Sequence, residues 1–196
     1  SVTPYYNKPN QEGLYAHFSE VAKSINIPIM VYNNPGRTCS YAELKTIVSL
    51  NKKYPHISAV KESSGKLDMF TDIQNENADI DVYIGDDVSL LPALSVGAAG
   101  VVSVSSHLVA SQMNDLINNF NDKDLKTAVK IHNRLNSLFK VLFSSPSPGP
   151  VKHLLAKNNL CKPFLRLPLT PPAESVRLSI EEVWKDIELF QKELAI

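Results

Sequence analysis

Lys61 ends the apolar run ISAVK, where a buried strand would give way to a loop. A lysine at the carboxyl end of such a strand loses hydration, which favours the neutral amine. That amine is a nucleophile able to attack a carbonyl carbon and form a Schiff base. The plainer role is a lysine that carries its ammonium to solvent or pairs with Glu62, and position alone leaves both open. Tyr32 lies at the matching level of the preceding run, IMVYN, so its phenol can face the amine and relay a proton, or serve as a core tyrosine with its hydroxyl satisfied locally. Arg37 follows in YNNPGRT, predicted to be a Pro-Gly loop. A guanidinium there can clamp a carboxylate through two parallel hydrogen bonds or sit on a surface turn. Tyr5 and Tyr6, between Pro4 and Pro9, suit interface packing as readily as chemistry. Gly85 in YIGDD marks a place where backbone can approach a ligand closely. Asp86 and Asp87 are expected to cap the helix that follows rather than to hold a metal, because no histidine is near enough to join them. The five histidines form no HxH or HxxxH pair, which gives a metal-dependent aldolase or amidohydrolase no support.

Such residues need strands to hold them. Four β-rich runs are predicted, IPIMVYN (27–33), HISAVKE (56–62), DVYIGD (81–86) and GVVSVS (100–105), each apolar on both faces as parallel strands covered on both sides are. Helices are expected between them. One spans Gln11 to Ile25 with Leu14, Phe18, Val21, Ala22 and Ile25 on one face; another carries Leu44, Ile47 and Val48 and opens on a Ser40–Glu43 capping box. A third carries Leu67, Phe70 and Ile73, and a fourth, Val88 to Val96, ends at Gly97. The strands recur roughly every 20 to 30 residues, which fits either a doubly wound sheet or a (β/α)8 barrel. The absence of GxGxxG and GxxxxGK[ST] argues against nucleotide binding. GAAGVVSVSSH lacks the glycine density and basic residue of a phosphate cradle.

Beyond the last strand the pattern becomes helical. Val109, Met113, Leu116, Ile117 and Phe120 mark one helix. Asp122 is expected to open the next, with Leu125, Ala128, Val129, Leu135, Leu138, Phe139 and Leu142 on its apolar face. SSPSPGP breaks the chain, Pro150 to Leu160 forms a short helix, RLPLTPP is extended, and Ser179 with Glu182 opens a terminal helix. The expected partition is 1–106 and 107–196.

Composition narrows the classes. Twenty basic residues balance twenty acidic ones in 196 residues, with 43% apolar. Zero net charge removes the electrostatic footprint of a nucleic-acid or anionic-membrane binder. No apolar run approaches the roughly 20 residues that span a bilayer, and no signal-peptide pattern opens the chain. Cys39 and Cys161, far apart and outside any metal spacing, point to unpaired thiols in a reducing compartment, the cytoplasm. The start at Ser1, on the edge of a strand-like segment, predicts that a longer chain lies upstream.

The ordered set TPYYNKPNQEGLYAHF, VYNNPGRT, AVKESSG, YIGDD, GAAGVVSV, PVK and LRLPLTP, from residue 2 to about 172, resembles dihydrodipicolinate synthase and the wider family of pyruvate-dependent class I aldolases and lyases. The resemblance implies a (β/α)8 TIM barrel with a C-terminal helical subdomain, the four strands here being the fifth to eighth, in a homotetramer built from two tight dimers. It implies that Lys61 forms the Schiff base with pyruvate, that Tyr32 belongs to the proton relay, and that Tyr6 is lent across the tight dimer. It further implies that Arg37 holds the carboxylate of aspartate semialdehyde, that Gly85 and Val102 line the pyruvate pocket, and that Tyr5 lies near a lysine feedback site. The product would be a hydroxy-tetrahydrodipicolinate on the route to diaminopimelate and lysine, and no cofactor is required. An arginine in the YNxPxR position favours the synthase over the keto-deoxy sugar aldolases and sialic acid lyases, the alternative. The family's PNPIPVK loop reads PSPGPVK here, with Ser147 and Gly149 in place of Asn and Ile. The family's upstream third, with its Gly-Thr-Thr-Gly-Glu motif, has no counterpart in these residues. The chain is therefore expected to be inactive alone, either as a piece of a working synthase or as a truncated, non-catalytic homologue.

Overall fold

The computed structural model describes residues 1–76 and 78–194 and divides into two compact units, Ser1–Val102 and a second from Ser103 onward. The first unit alternates helices and strands: α1 (Gln11–Ser24), β1 (Ile29–Asn33), a four-residue helical turn α2 (Pro35–Thr38), α3 (Leu44–Lys53), β2 (Ile57–Glu62), α4 (Asp68–Asn75), β3 (Asp81–Ile84), α5 (Leu90–Ser95) and β4 (Gly100–Val101). All four strands pair in parallel in chain order, β1-β2-β3-β4, and Val2 forms a further parallel bridge to Tyr32 on the outer side of β1. A doubly wound sheet reverses its order at a switch point; this one never does, so the sequential order is that of a (β/α)8 barrel.

One face of this sheet is covered. Along β1, Ile29, Val31 and Asn33 are buried while Met30 and Tyr32 are only partly so, and along β3 Val82 and Ile84 are buried beside a partly exposed Tyr83. The expected burial on both sides is therefore corrected. Helices of this unit cover one face, against which Leu14, Phe18, Ile47, Leu50, Phe70, Ile73 and Leu90 form the core, and the face bearing Tyr32 and Lys61 stays half open. The strands are also shorter than predicted, most of all β4, which stops at Val101 because the chain turns at Ser103 into the next helix.

Several caps differ from expectation. The Ser40–Glu43 box does not form: the Ser40 hydroxyl is buried without a hydrogen-bond partner among the described residues, and Glu43 makes no side-chain cap. Gln11, on α1, does this work instead. Its Oε1 accepts from the Glu43 N–H (3.0 Å) and the Thr46 hydroxyl (2.6 Å), and its Nε2 donates to the Tyr41 carbonyl (2.8 Å). One amide thus satisfies donors at the start of α3 and fastens α1 to it. The expected glycine terminus does form: Ala98 N–H donates to Ala93 O and Gly97 N–H to Leu94 O, with Gly97 at φ +94°, a Schellman motif.

Among the described residues the second unit has four helices, α6 (Ser106–Asn121), α7 (Leu125–Val141), α8 (Gly149–Lys157) and α9 (Glu174–Leu194). Asp124, not Asp122, caps α7, accepting from the Thr127 N–H (3.1 Å) and hydroxyl (2.6 Å). Leu125 and Val129, expected on its apolar face, are exposed, and Ile131 is buried in their stead with Ala128, Leu135, Leu138 and Phe139. The terminal helix starts five residues before Ser179, whose hydroxyl bonds back to the Ser175 carbonyl (3.1 Å) inside the helix rather than capping it. Glu181 joins α8 to α9, contacting His153 (2.8 Å) and Lys157. No helix among the described residues is long and apolar enough to cross a membrane.

Candidate active site

Parallel register sets Tyr32 opposite Lys61, and Lys61 opposite Tyr83, so three side chains stand level on the half-open face of the sheet. The Lys61 Nζ lies 4.1 Å from the centroid of the Tyr32 ring. The amine is therefore over the face of the phenol ring, and the hydroxyl is engaged elsewhere: it accepts a hydrogen bond from the Asn34 side-chain amide at 2.7 Å. An amine or ammonium over an aromatic face is held by the ring's negative quadrupole.

Gly85 closes the other side. A Cβ added at this glycine would fall 1.7 Å from the Ser63 hydroxyl and 2.8 Å from Lys61 Cε, so the missing side chain is what leaves room for the lysine stem. Its N–H donates to the Glu62 carbonyl (2.8 Å), and the Val102 N–H donates to the Ile84 carbonyl (2.9 Å), which carries the ladder past the ends of β3 and β4. The Ser63 hydroxyl is buried beside this space with no hydrogen-bond partner among the described residues.

Arg37 sits on α2, which replaces the predicted loop. Pro35 occupies its first turn, the Asn34 side chain accepts from the Arg37 N–H (3.1 Å), and Cys39 ends it in the left-handed conformation. The guanidinium is exposed at the carboxyl end of β1. Tyr5 and Tyr6 are largely exposed as well, Tyr6 at positive φ. Register and contact thus bring together Tyr32, Lys61 and Gly85, while Arg37, Tyr5 and Tyr6 are presented to solvent.

Asp86 does not cap the turn after β3, contrary to expectation; its side chain makes no cap hydrogen bond. Burial, reinforced by the adjacent Asp87, pushes its carboxyl up from the usual range, and the charge on Lys61 acts in the opposite sense. Among the described residues no three His, Cys, Asp or Glu side chains gather to hold a metal. Both cysteines are free and exposed.

Behind Lys61, on the covered face, the fully buried Glu62 accepts from the Tyr41 hydroxyl (3.1 Å) and from the Ser64 N–H (2.7 Å). Burial, and then the charge of Glu62, raise the Tyr41 phenol well above its ordinary value. The sign follows from linkage. The unfolded chain releases this proton near pH 10 while the folded one keeps it, so the contribution is intact below about pH 10 and is lost as pH rises further. We expect the alkaline fall in unfolding free energy, read by urea denaturation at each pH, to be shallower in Tyr41→Phe, by about half a kcal/mol per pH unit after discounting for partial exposure. Parallel slopes for the two proteins between about pH 10 and 11 would show that the phenol ionises equally in both states.

Sequence reasoning missed Asn34, Ser63 and Tyr83. Asn34 carried a signal, an Asn directly before Pro, which is the order of an N-cap followed by a first-turn proline. Tyr83 could have been placed by aligning DVYI with AVKE; Ser63 had no signal.

The pattern of the Dihydrodipicolinate synthetase family matches residues 1–187. The chain belongs to this family. The 4-hydroxy-tetrahydrodipicolinate synthase of Bacillus velezensis is 46% identical over 187 residues, covering 95% of this chain and 64% of the relative. Among solved structures, dihydrodipicolinate synthase from Aquifex aeolicus matches with a TM-score of 0.92 at 38% identity, over 96% of this chain and 64% of that one. The chloride-inhibited enzyme of Acinetobacter baumannii complexed with pyruvate matches at 0.88 and 35%, over 94% and 64%. The chain therefore spans about 64% of the length of these relatives. The parallel sheet and the helices after it correspond to part of the family's TIM barrel and its C-terminal helices. Enzymes of the family are lyases that use a lysine Schiff base without a cofactor.

Proposed function

We propose that this chain carries the Schiff-base side of a 4-hydroxy-tetrahydrodipicolinate synthase, condensing pyruvate on Lys61 with aspartate semialdehyde. The observation that supports it most is Lys61 Nζ over the Tyr32 ring at the carboxyl ends of adjacent parallel strands, beside a glycine that must stay small. The neutral amine attacks the C2 carbonyl of pyruvate. The carbonyl oxygen takes one proton from the attacking nitrogen to give the carbinolamine, then a second from Tyr32, and leaves as water as the nitrogen lone pair forms the C=N bond; Tyr32 is the group placed to move these protons. Gly85 and Val102 supply backbone that lets the keto acid lie close. Arg37, exposed on the turn after β1, would receive the carboxylate of the second substrate. Tyr6, exposed and held in a left-handed conformation, suits a side chain lent to a neighbouring subunit in a homotetramer of two tight dimers, and Tyr5 suits a lysine-responsive surface next to it. The cytoplasm is the setting we assign. In this reading residues 1–106 are the C-terminal part of the barrel, and 107–196 hold its last helix followed by the C-terminal helical subdomain.

The test is reductive trapping. The chain is incubated with pyruvate and borohydride, both as 196 residues and with a family N-terminal third joined upstream of Ser1, and adducts are mapped by peptide mass spectrometry. An adduct confined to Lys61 in either preparation is expected. No adduct at Lys61 in either one would overturn the aldolase reading.

A further inference from the structure

The Asn34 side chain has two ends and both are used. Its Oδ1 accepts from the Arg37 N–H at 3.1 Å, and its Nδ2 donates to the Tyr32 hydroxyl oxygen at 2.7 Å. The assignment of the two ends is fixed by chemistry. A backbone N–H can only donate, so the atom facing it is the oxygen, and the other end must be the amide nitrogen. The Tyr32 oxygen therefore accepts from Asn34, which leaves the phenol's own proton directed away from that partner. Lys61 Nζ lies over the same ring. A donor on the phenol oxygen also stabilises the negative charge that builds there when the proton leaves.

We propose that Asn34 is a positioning residue for Tyr32: its amide holds the phenol oxygen so that the tyrosine proton is available to the carbinolamine on Lys61, and the same side chain fixes the turn that carries Arg37. The proposal rests on the Schiff-base reading above. In the step concerned, the hydroxyl of the carbinolamine takes the Tyr32 proton and departs as water, the nitrogen lone pair forms the C=N bond, and the phenolate left behind is stabilised by the Asn34 N–H. With a carboxylate in place of the amide, the geometry inverts: the phenol would donate to residue 34 and its proton would be withdrawn from the reaction.

Two substitutions separate this role from simple capping. Asn34→Asp keeps an oxygen for the Arg37 N–H and is an equally good N-cap, but it removes the donor to Tyr32. Asn34→Val removes both. The readouts are the rate of borohydride-trapped adduct at Lys61 as a function of pyruvate concentration, in the preparation that traps, and the ¹³Cζ resonance of Tyr32, assigned with Tyr32→Phe. We expect both variants to slow trapping by about ten- to a hundredfold with the half-saturating pyruvate concentration unchanged, and to move the Tyr32 resonance. If Asn34→Asp traps at the rate of the unaltered chain, Asn34 is only a cap and the proposal is overturned. An unmoved Tyr32 resonance in both variants overturns the hydrogen bond itself. If the unaltered chain traps no pyruvate in either preparation, the Schiff-base reading falls and this role falls with it, an outcome distinct from the first because there the unaltered chain still traps.

Discussion

Gly85→Ala is expected to lower pyruvate trapping at Lys61 by about a hundredfold, the scale on which a displacement of roughly 1 Å at a reacting group acts. The added methyl would fall 1.7 Å from Ser63 Oγ, 2.8 Å from Lys61 Cε and 3.1 Å from Ser63 Cβ. The serine hydroxyl can rotate away, but its Cβ is fixed to the backbone of the strand end, and the lysine stem must then shift from the Tyr32 ring. Gly85 needs no left-handed conformation, so the effect is one of contact and carries no backbone penalty. A second substitution divides the contributions. Ser63→Ala alone removes a buried hydroxyl that has no partner among the described residues, and we expect it to be neutral or mildly stabilising. Combined with Gly85→Ala it relieves the shortest contact but leaves those with Ser63 Cβ and Lys61 Cε, so it recovers only part of the about 1–3 kcal/mol of overpacking. Stability should therefore return in part, by urea denaturation, and trapping should not. Trapping by Gly85→Ala at the unaltered rate would show that Lys61 does not depend on this space.

How far the site could be seen in the sequence depends on whether a residue's role is local. The level placement of Lys61 and Tyr32 was legible because each stands next to last in its run, and two strands of similar length align before any pairing is known. The order of the strands was not legible. Spacing of βα units is the same in a barrel and in a doubly wound sheet, and only the pairing, sequential and without reversal, separates them. The half-open face was hidden for the same reason, since Val/Ile content states that a strand can be covered, not what covers it. Caps failed where the partner was remote: Ser40 satisfied the local pattern, yet Gln11, some thirty residues upstream, made the bonds. Asp122 and Ser179 failed because a nearby residue offered a better start, Asp124 in one case and the earlier turn at Glu174 in the other.

The adjacent asparagines of YNNPGRT make the sharpest contrast of local and remote roles. Asn33 is fully buried at the end of β1 and points away from the chemistry; its Nδ2 donates to the Ala42 carbonyl and its Oδ1 accepts from the Ala42 N–H, both at 2.9 Å. The amide thereby closes a two-bond ring with one backbone residue and ties down both ends of the segment that carries Asn34, Arg37 and Cys39. Asn33→Ala leaves the Ala42 donor and acceptor buried without a partner. At about 1–3 kcal/mol for each abandoned group, the expected loss is roughly 2–6 kcal/mol, a large share of what a domain of this size possesses. Asn33→Asp is no remedy, because a carboxylate can accept from the Ala42 N–H but meets the carbonyl with a second acceptor. Asn34, one residue on, has its bonds at the rim of the site, and its loss is expected to cost little stability and much rate. Urea denaturation of the two alanine variants, beside their trapping rates at a temperature where both remain folded, separates them. Asn33→Ala should be destabilised and trap normally once folded; Asn34→Ala should be stable and slow. Equal stabilities would mean that the Ala42 groups find other partners, and the ring around Asn33 would then have no part in holding the Arg37 turn in place.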